Sequence, residues 1–227
     1  EHTVAILYNF PSNPTGATIN IEQRDALLAF AQKHDLWIIS DEVYDRIVFD
    51  GEHVSFVGTD SDRVVLINSF SKTFAMTGWR IGYIMSANLE AMKQFTKIQY
   101  YITACSNDAM QHAVLTAFDE ASDYPSIMAE EFKARCDLIV DRLNEMPGVQ
   151  CHKPKGAFYV FPKVEVPGMN SEEIALELLK GGVLCSPGSA FGASGEGHLR
   201  FAYTISRKDI ERGMEKTAAT LKALRGD

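Results

Sequence analysis

Short apolar runs alternate with amphipathic stretches through the first part of the chain. Residues 4–7, 36–39, 64–67 and 81–85 are apolar almost throughout and only a few residues long. Runs of that length fit strands buried on both faces, as in a parallel sheet covered by helices. Between the first two, residues 21–34 place Ile21, Leu27, Leu28 and Ala31 on one side of a predicted helix. Asn20 and Gln23 stand at its start with the spacing of a capping box. Strand, helix and strand in this order predict α/β architecture with a largely parallel sheet.

After Met85 the period changes from strand-like to helical. Leu89, Met92, Phe95, Ile98 and Ile102 recur at helix spacing, and a further helix is predicted over 109–118. A long one follows, with Met128, Phe132, Cys136, Ile139, Leu143 and Met146 on one face and Pro147-Gly148 as its stop. The remainder mixes predicted strands at 157–161, 183–185 and 199–203 with two helices. Ser171 is expected to cap the first, and Ser206 with Asp209 the second. The pattern therefore predicts an α/β layer, a long connecting helix and a smaller α+β unit. The sequence opens without methionine and almost at once in a predicted strand, so we expect it to be the C-terminal part of a longer chain.

Charge narrows the classes. The net charge of −8 is mixed along the chain and gives no basic face, which argues against nucleic-acid binding. No apolar run approaches membrane-spanning length. Cys105, Cys136, Cys151 and Cys185 form no C-x-x-C pair, and the six histidines show no metal-ligand spacing, so no metal site is expected. Cys136 and Cys185 read as core residues, and reduced thiols point to a cytoplasmic protein.

The candidate chemistry lies after the predicted strands. Ligands of open α/β sheets bind beyond the carboxyl ends of the strands. Asn9 to Gly16 follow the first strand, Asp41 and Tyr44 the second, and Ser69, Ser71 and Lys72 the third. An amide, a carboxylate, a phenol, hydroxyls and an amine thus converge on one edge. Singly, each has a plainer reading. Asn13-Pro14-Thr15-Gly16 is a turn-forming sequence, Asp41 suits a helix cap, and Lys72 and Arg80 suit a solvated surface.

Together, "NPTG", "SDEVY" and "SFSKTFAMTGWRIGY" resemble the class I/II aminotransferases of PLP-dependent fold type I. The last segment matches that family's Ser-x-Ser-Lys and Gly-x-Arg-x-Gly signature at each defining position. "KPKGAFYVFP", "CSPGSAFG" and "HLRFAYTIS" extend the resemblance over essentially the whole chain. It implies a PLP-dependent transferase fold. Residues 1–122 would belong to a mostly parallel α/β/α large domain, and residues 123–227 to an interdomain helix and a smaller α+β C-terminal domain.

The resemblance also implies roles. Lys72 would hold pyridoxal 5′-phosphate as a Schiff base and then shuttle a proton. Asp41 would face the pyridine nitrogen, Asn13 and Tyr44 the ring's phenolic oxygen, and Ser69, Ser71 and Arg80 the phosphate. Gly78 and Gly82 would let the backbone turn and approach closely. Arg200 would grip the substrate α-carboxylate with Asn13 nearby, and Tyr159 either lines the pocket or packs in the core.

The implied reaction transfers an amino group from an amino acid to a 2-oxo acid, in a full-length protein that is a homodimer. A PLP-dependent C–S β-lyase fits the same residues. So does the ligand-sensing, aminotransferase-like domain of a transcription regulator. In the family, an N-terminal part completes the phosphate cradle, so the isolated 227-residue segment is expected to bind the cofactor weakly and turn over little.

Overall fold

A computed structural model describes residues 2–226, which form two compact units. The first comprises the chain up to Pro11 and Thr18–Met128, and the second comprises Ser12–Ala17 and the chain from Ala129 onward.

The first unit is built on a sheet of four strands in the order β1 (Ala5–Asn9), β2 (Trp37–Asp41), β3 (Val64–Ser69) and β4 (Gly82–Met85). The first three run parallel and the fourth antiparallel to β3. Asn9 stands opposite Asp41, Asp41 opposite Ile67, and Ser69 opposite Gly82. This register brings the carboxyl ends of β1, β2 and β3 level.

The helix α1 (Ile21–Lys33) joins β1 to β2. Its predicted capping box forms, with Asn20 Oδ1 accepting from the Gln23 amide and Gln23 Oε1 from the Asn20 amide. Such a cap contributes about 1 kcal/mol. Ala31, Leu36, Ile38, Phe56 and Val64 form a buried cluster on which Leu27 and Leu28 pack. Burying each large apolar side chain there is worth about 1.5–3 kcal/mol. Ile21, expected on that side, is exposed instead, at the first turn of the helix.

The short helix α2 (Phe70–Thr73) follows β3 directly, and a single 3-10 turn over Thr77–Trp79 leads into β4. Two further helices, α3 (Leu89–Thr103) and α4 (Asp108–Glu120), complete this unit together with the start of α5 (Tyr124–Asn144). Phe70 and Phe74 of α2 meet Phe118 of α4 edge-on at 5.7 and 5.5 Å, which anchors the turn of helix that carries Lys72.

The expectation that all four strands are buried on both faces is met most nearly by β3, while β2 alternates buried with half-buried residues. Leu7 of β1 and all of β4 are exposed, because these strands form the two edges of the sheet. The apolar side of α3 is exposed as well, at Leu89, Ile98 and Ile102.

In the second unit, α5 presents Phe132, Cys136, Ile139 and Leu143 to the core at helical spacing, while Met128 is half-buried. Two short strands pair as β5 (Val149–Gln150) with β7 (Lys163–Val164), and β6 (Tyr159–Val160) pairs with β9 (Leu199–Ala202). The helix α6 (Ser171–Lys180) is capped by Asn170 with Glu173 rather than by Ser171. Ser171 is the first helical residue, and its buried hydroxyl donates to Glu196.

The strand expected at 183–185 lies further on, as β8 (Ser186–Pro187), paired with β9. Val183 is held back by its amide bond to Leu178 O, which finishes α6. α7 (Arg207–Arg225) closes the unit and is capped by Ser206 as expected. After β8 the backbone crosses itself at Gly188 and Gly195, where an added Cβ on Gly188 would lie 1.9 Å from Gly195 O. Residues 12–17 also belong here, because Gly16 O accepts from the Lys155 and Gly156 amides.

Candidate active site

Lys72 sits on α2, one turn beyond the end of β3. Its Nζ lies 5.9 Å from the centre of the Tyr44 ring. Burial, assisted by the Arg80 guanidinium, lowers its proton affinity below that of an ordinary lysine. An amine so placed reaches its nucleophilic form more readily than a solvated one. Tyr44 itself is buried, on the turn that follows β2.

Asp41 ends β2 on the same sheet edge. Burial raises its pKa, and the adjacent Glu42 adds to this, against bonds from the Val43 amide and Asn9. A carboxylate that pays desolvation in this way is stabilised by a cation placed beside it. Ser69 caps α2, with its Oγ 2.8 Å from Ser71 Oγ and 3.1 Å from the Ser71 amide. Arg80 adopts a left-handed conformation, φ 53°, and its Nη1 donates to Thr77 O. Gly82 meets a close approach, since a Cβ there would lie 2.6 Å from Asn68 O. Gly78 does not, for a Cβ there would point into open space, so the reason expected for that glycine is absent.

The first unit therefore gathers Asp41, Tyr44, Ser69, Ser71, Lys72 and Arg80 around one sheet end. Asn13, expected at the same edge, is part of the second unit. There its Oδ1 accepts from Arg200 Nη1 at 2.9 Å. Arg200 Nη2 donates to Ser186 Oγ at 3.0 Å, and the guanidinium lies 4.7 Å from the Tyr159 ring centre and 4.9 Å from that of Phe191. Its Nε is buried and has no hydrogen-bond partner among the described residues. A guanidinium flanked by two rings, with a donor unused, is prepared for a planar anion such as a carboxylate.

Ser186 and Phe191 went unassigned from sequence, although both lie in or beside the quoted "CSPGSAFG". A second unforeseen cluster surrounds Glu42, which is buried and bonded to Ser40, His53 and the Phe56 amide. Its partners are up to 14 residues away, and no local spacing reveals them.

A profile described as "Aminotransferase class I and II" matches residues 1–216. The chain belongs to this family. It is 41% identical over 219 residues to a probable aspartate aminotransferase of Methanocaldococcus jannaschii, covering 94% of this chain and 57% of that protein. It is 36% identical over 231 residues to an aspartate aminotransferase of Pyrococcus horikoshii, covering 100% of this chain and 58% of that one. Among solved structures, an aromatic aminotransferase from Pyrococcus horikoshii superposes with a TM-score of 0.92 at 37% identity, covering 97% of this chain and 60% of that chain. The chain thus spans somewhat more than half the length of these relatives, and its fold is the family's mixed α/β fold.

The class I/II signature is carried by residues whose donors fit pyridoxal 5′-phosphate. A depressed lysine suits its aldehyde, a half-buried carboxylate its pyridinium, and paired serines with an arginine its phosphate. Among the described residues no cluster could hold a metal ion and no helix is long and apolar enough to cross a membrane.

Proposed function

We propose that this chain carries the lysine-bearing portion of a PLP-dependent aminotransferase that moves an amino group from an amino acid to a 2-oxo acid. The observation that carries this reading is Lys72. It is held by an aromatic-anchored turn of helix beside Tyr44, with its basicity lowered by burial and Arg80. We take the first unit as part of the cofactor-binding large domain and the second as the small domain.

When bound, pyridoxal phosphate supplies an electron sink for the substrate Cα bond. The chain's own residues do the rest. Lys72 would offer its amine to the cofactor's aldehyde and, once released, would carry the proton from the substrate Cα to the carbon that was the aldehyde. Asp41 would hold the ring nitrogen protonated, Tyr44 would donate to the phenolic oxygen, and Ser69, Ser71 and Arg80 would orient the phosphate. Asn13 would be a further donor to the phenolic oxygen. Arg200 takes the substrate carboxylate through its fork, which fixes the scissile bond.

The relatives' names favour an acidic or an aromatic amino acid as donor. We place the whole protein in the cytoplasm, in keeping with its four unbonded cysteines. We take it to be a homodimer, for which the exposed apolar sides of α3 and α4 offer surface.

Borohydride reduction of the cofactor-loaded protein, followed by peptide mass spectrometry, tests the site. The cofactor is expected on Lys72 and lost in Lys72→Ala. Label on another lysine would overturn the reading. With an amino-acid donor, release of pyruvate and ammonia instead of pyridoxamine phosphate would replace transamination by elimination.

A further inference from the structure

Glu42 lies between Asp41 and Tyr44 in sequence, yet its side chain points away from solvent and is only 3% exposed. Its Oε1 accepts from Ser40 Oγ at 2.9 Å and from the Phe56 amide at 3.0 Å, and its Oε2 lies 2.6 Å from His53 Nε2. Its backbone is fixed at the same time. The Glu42 amide donates to Ile67 O of β3, and its carbonyl accepts from the Asp45 amide. One residue thus ties the carboxyl end of β2 to β3, to the turn that carries Tyr44, and to the far end of the loop that follows.

A buried carboxylate with three partners is costly to leave half-satisfied and holds its surroundings in one arrangement when complete. Charged and titratable groups face the pair from several elements. Asp41 and Asp45 lie on the same segment with Arg46, Tyr8 comes from β1, and Tyr83 from β4. Tyr8 packs its ring edge-on to Phe56, at 5.1 Å, which closes the apolar side of the pocket around Glu42.

We propose that the pair of buried Glu42 and half-buried His53 is a positioning clasp for the cofactor site: it closes the loop behind β2 and so fixes where Asp41 and Tyr44 stand. Neither residue touches the cofactor. The clasp acts through Tyr44, whose hydroxyl would donate to the bound cofactor's phenolic oxygen, favour its anionic form and so hold the chromophore's pKa down. This role rests on the cofactor reading above.

The test compares Glu42→Gln, His53→Ala and His53→Gln with the wild type in the full-length protein, each loaded with pyridoxal phosphate. Glutamine at 42 keeps the acceptor for Ser40 and Phe56 but removes the charge that meets His53. Cofactor is expected to bind in all four, because Lys72, the serines and Arg80 are untouched. The pH at which the bound chromophore changes its visible absorbance is expected to rise by about half to one unit in Glu42→Gln and His53→Ala. His53→Gln, which restores a donor, should recover part of the shift.

Hydrogen exchange on the cofactor-free proteins gives an independent reading. The amides of Asp45 and Ile47, bonded to Glu42 O and Tyr44 O, should exchange roughly tenfold faster in the two disrupted variants. Exchange equal to wild type overturns the clasp by itself. An unshifted chromophore with accelerated exchange overturns its role at the cofactor. Failure of the full-length wild type to bind cofactor overturns the site reading and the positioning role together.

Discussion

Arg200→Lys separates the shape of the guanidinium from its charge. In the native chain, Nη1 and Nη2 are engaged by Asn13 and Ser186, the guanidinium lies 4.7 and 4.9 Å from the Tyr159 and Phe191 ring centres, and Nε is left over. A lysine ammonium has no plane to stack and cannot reach Asn13, Ser186 and a substrate carboxylate in a fork. At least one charge-assisted bond to the carboxylate is lost, and such a bond contributes about 1.5–3 kcal/mol.

Since about 1.4 kcal/mol corresponds to a factor of ten, kcat/KM for the amino acid should fall roughly 10- to 150-fold. The assay is single-turnover loss of the bound chromophore against amino-acid concentration. A parallel series uses the corresponding amine, which lacks the carboxylate. The amine should react equally with both proteins. An equal loss for amine and amino acid, or none for either, would show that Arg200 does not bind the carboxylate.

Gly82→Ala places a methyl 2.6 Å from Asn68 O, a backbone atom of the β3–β4 ladder, so a strand must shift to admit it. Overpacking of this kind costs about 1–3 kcal/mol and should lower both thermal stability and cofactor affinity. Gly78→Ala, which meets no atom within 4 Å, should leave both unchanged, and equal effects at the two glycines would refute the argument. Glu131 is pulled down to about 2 by bonds from Arg207 and then Arg135. Its depressed folded pKa makes its contribution fully present above the ordinary value of 4.5 and lost as pH falls towards about 2. Glu131→Gln should therefore melt below wild type at neutral pH and converge with it in acid, whereas a gap independent of pH would contradict the sign.

The local features were the legible ones. The capping box of α1, the helical face of α5 and the Ser206 cap follow from spacing within one or two turns, and each stands where the pattern put it. Asn170 and Ser171 are both good caps, and the deciding factor was Glu173, three residues after Asn170. The pattern also told that one side of α3 and the run of β4 are apolar, but not whether anything lies against them in this chain. At the site, Lys72, Asp41 and Tyr44 were reached through strand ends and a family resemblance. Glu42 with His53, and Arg200 with Ser186 and Phe191, are long-range pairings that no single segment announces.

The crossing of Gly188 over Gly195 has a practical bearing on any attempt to reshape substrate choice. An added Cβ on Gly195 would lie 2.1 Å from Gly188 O, so randomising this loop wholesale would return mostly unfolded variants with glycine selected back at both points. Phe191 lies between them and against Arg200, partly exposed. A small library confined to Phe191, with both glycines fixed, would vary the wall beside Arg200 while leaving the loop's path intact.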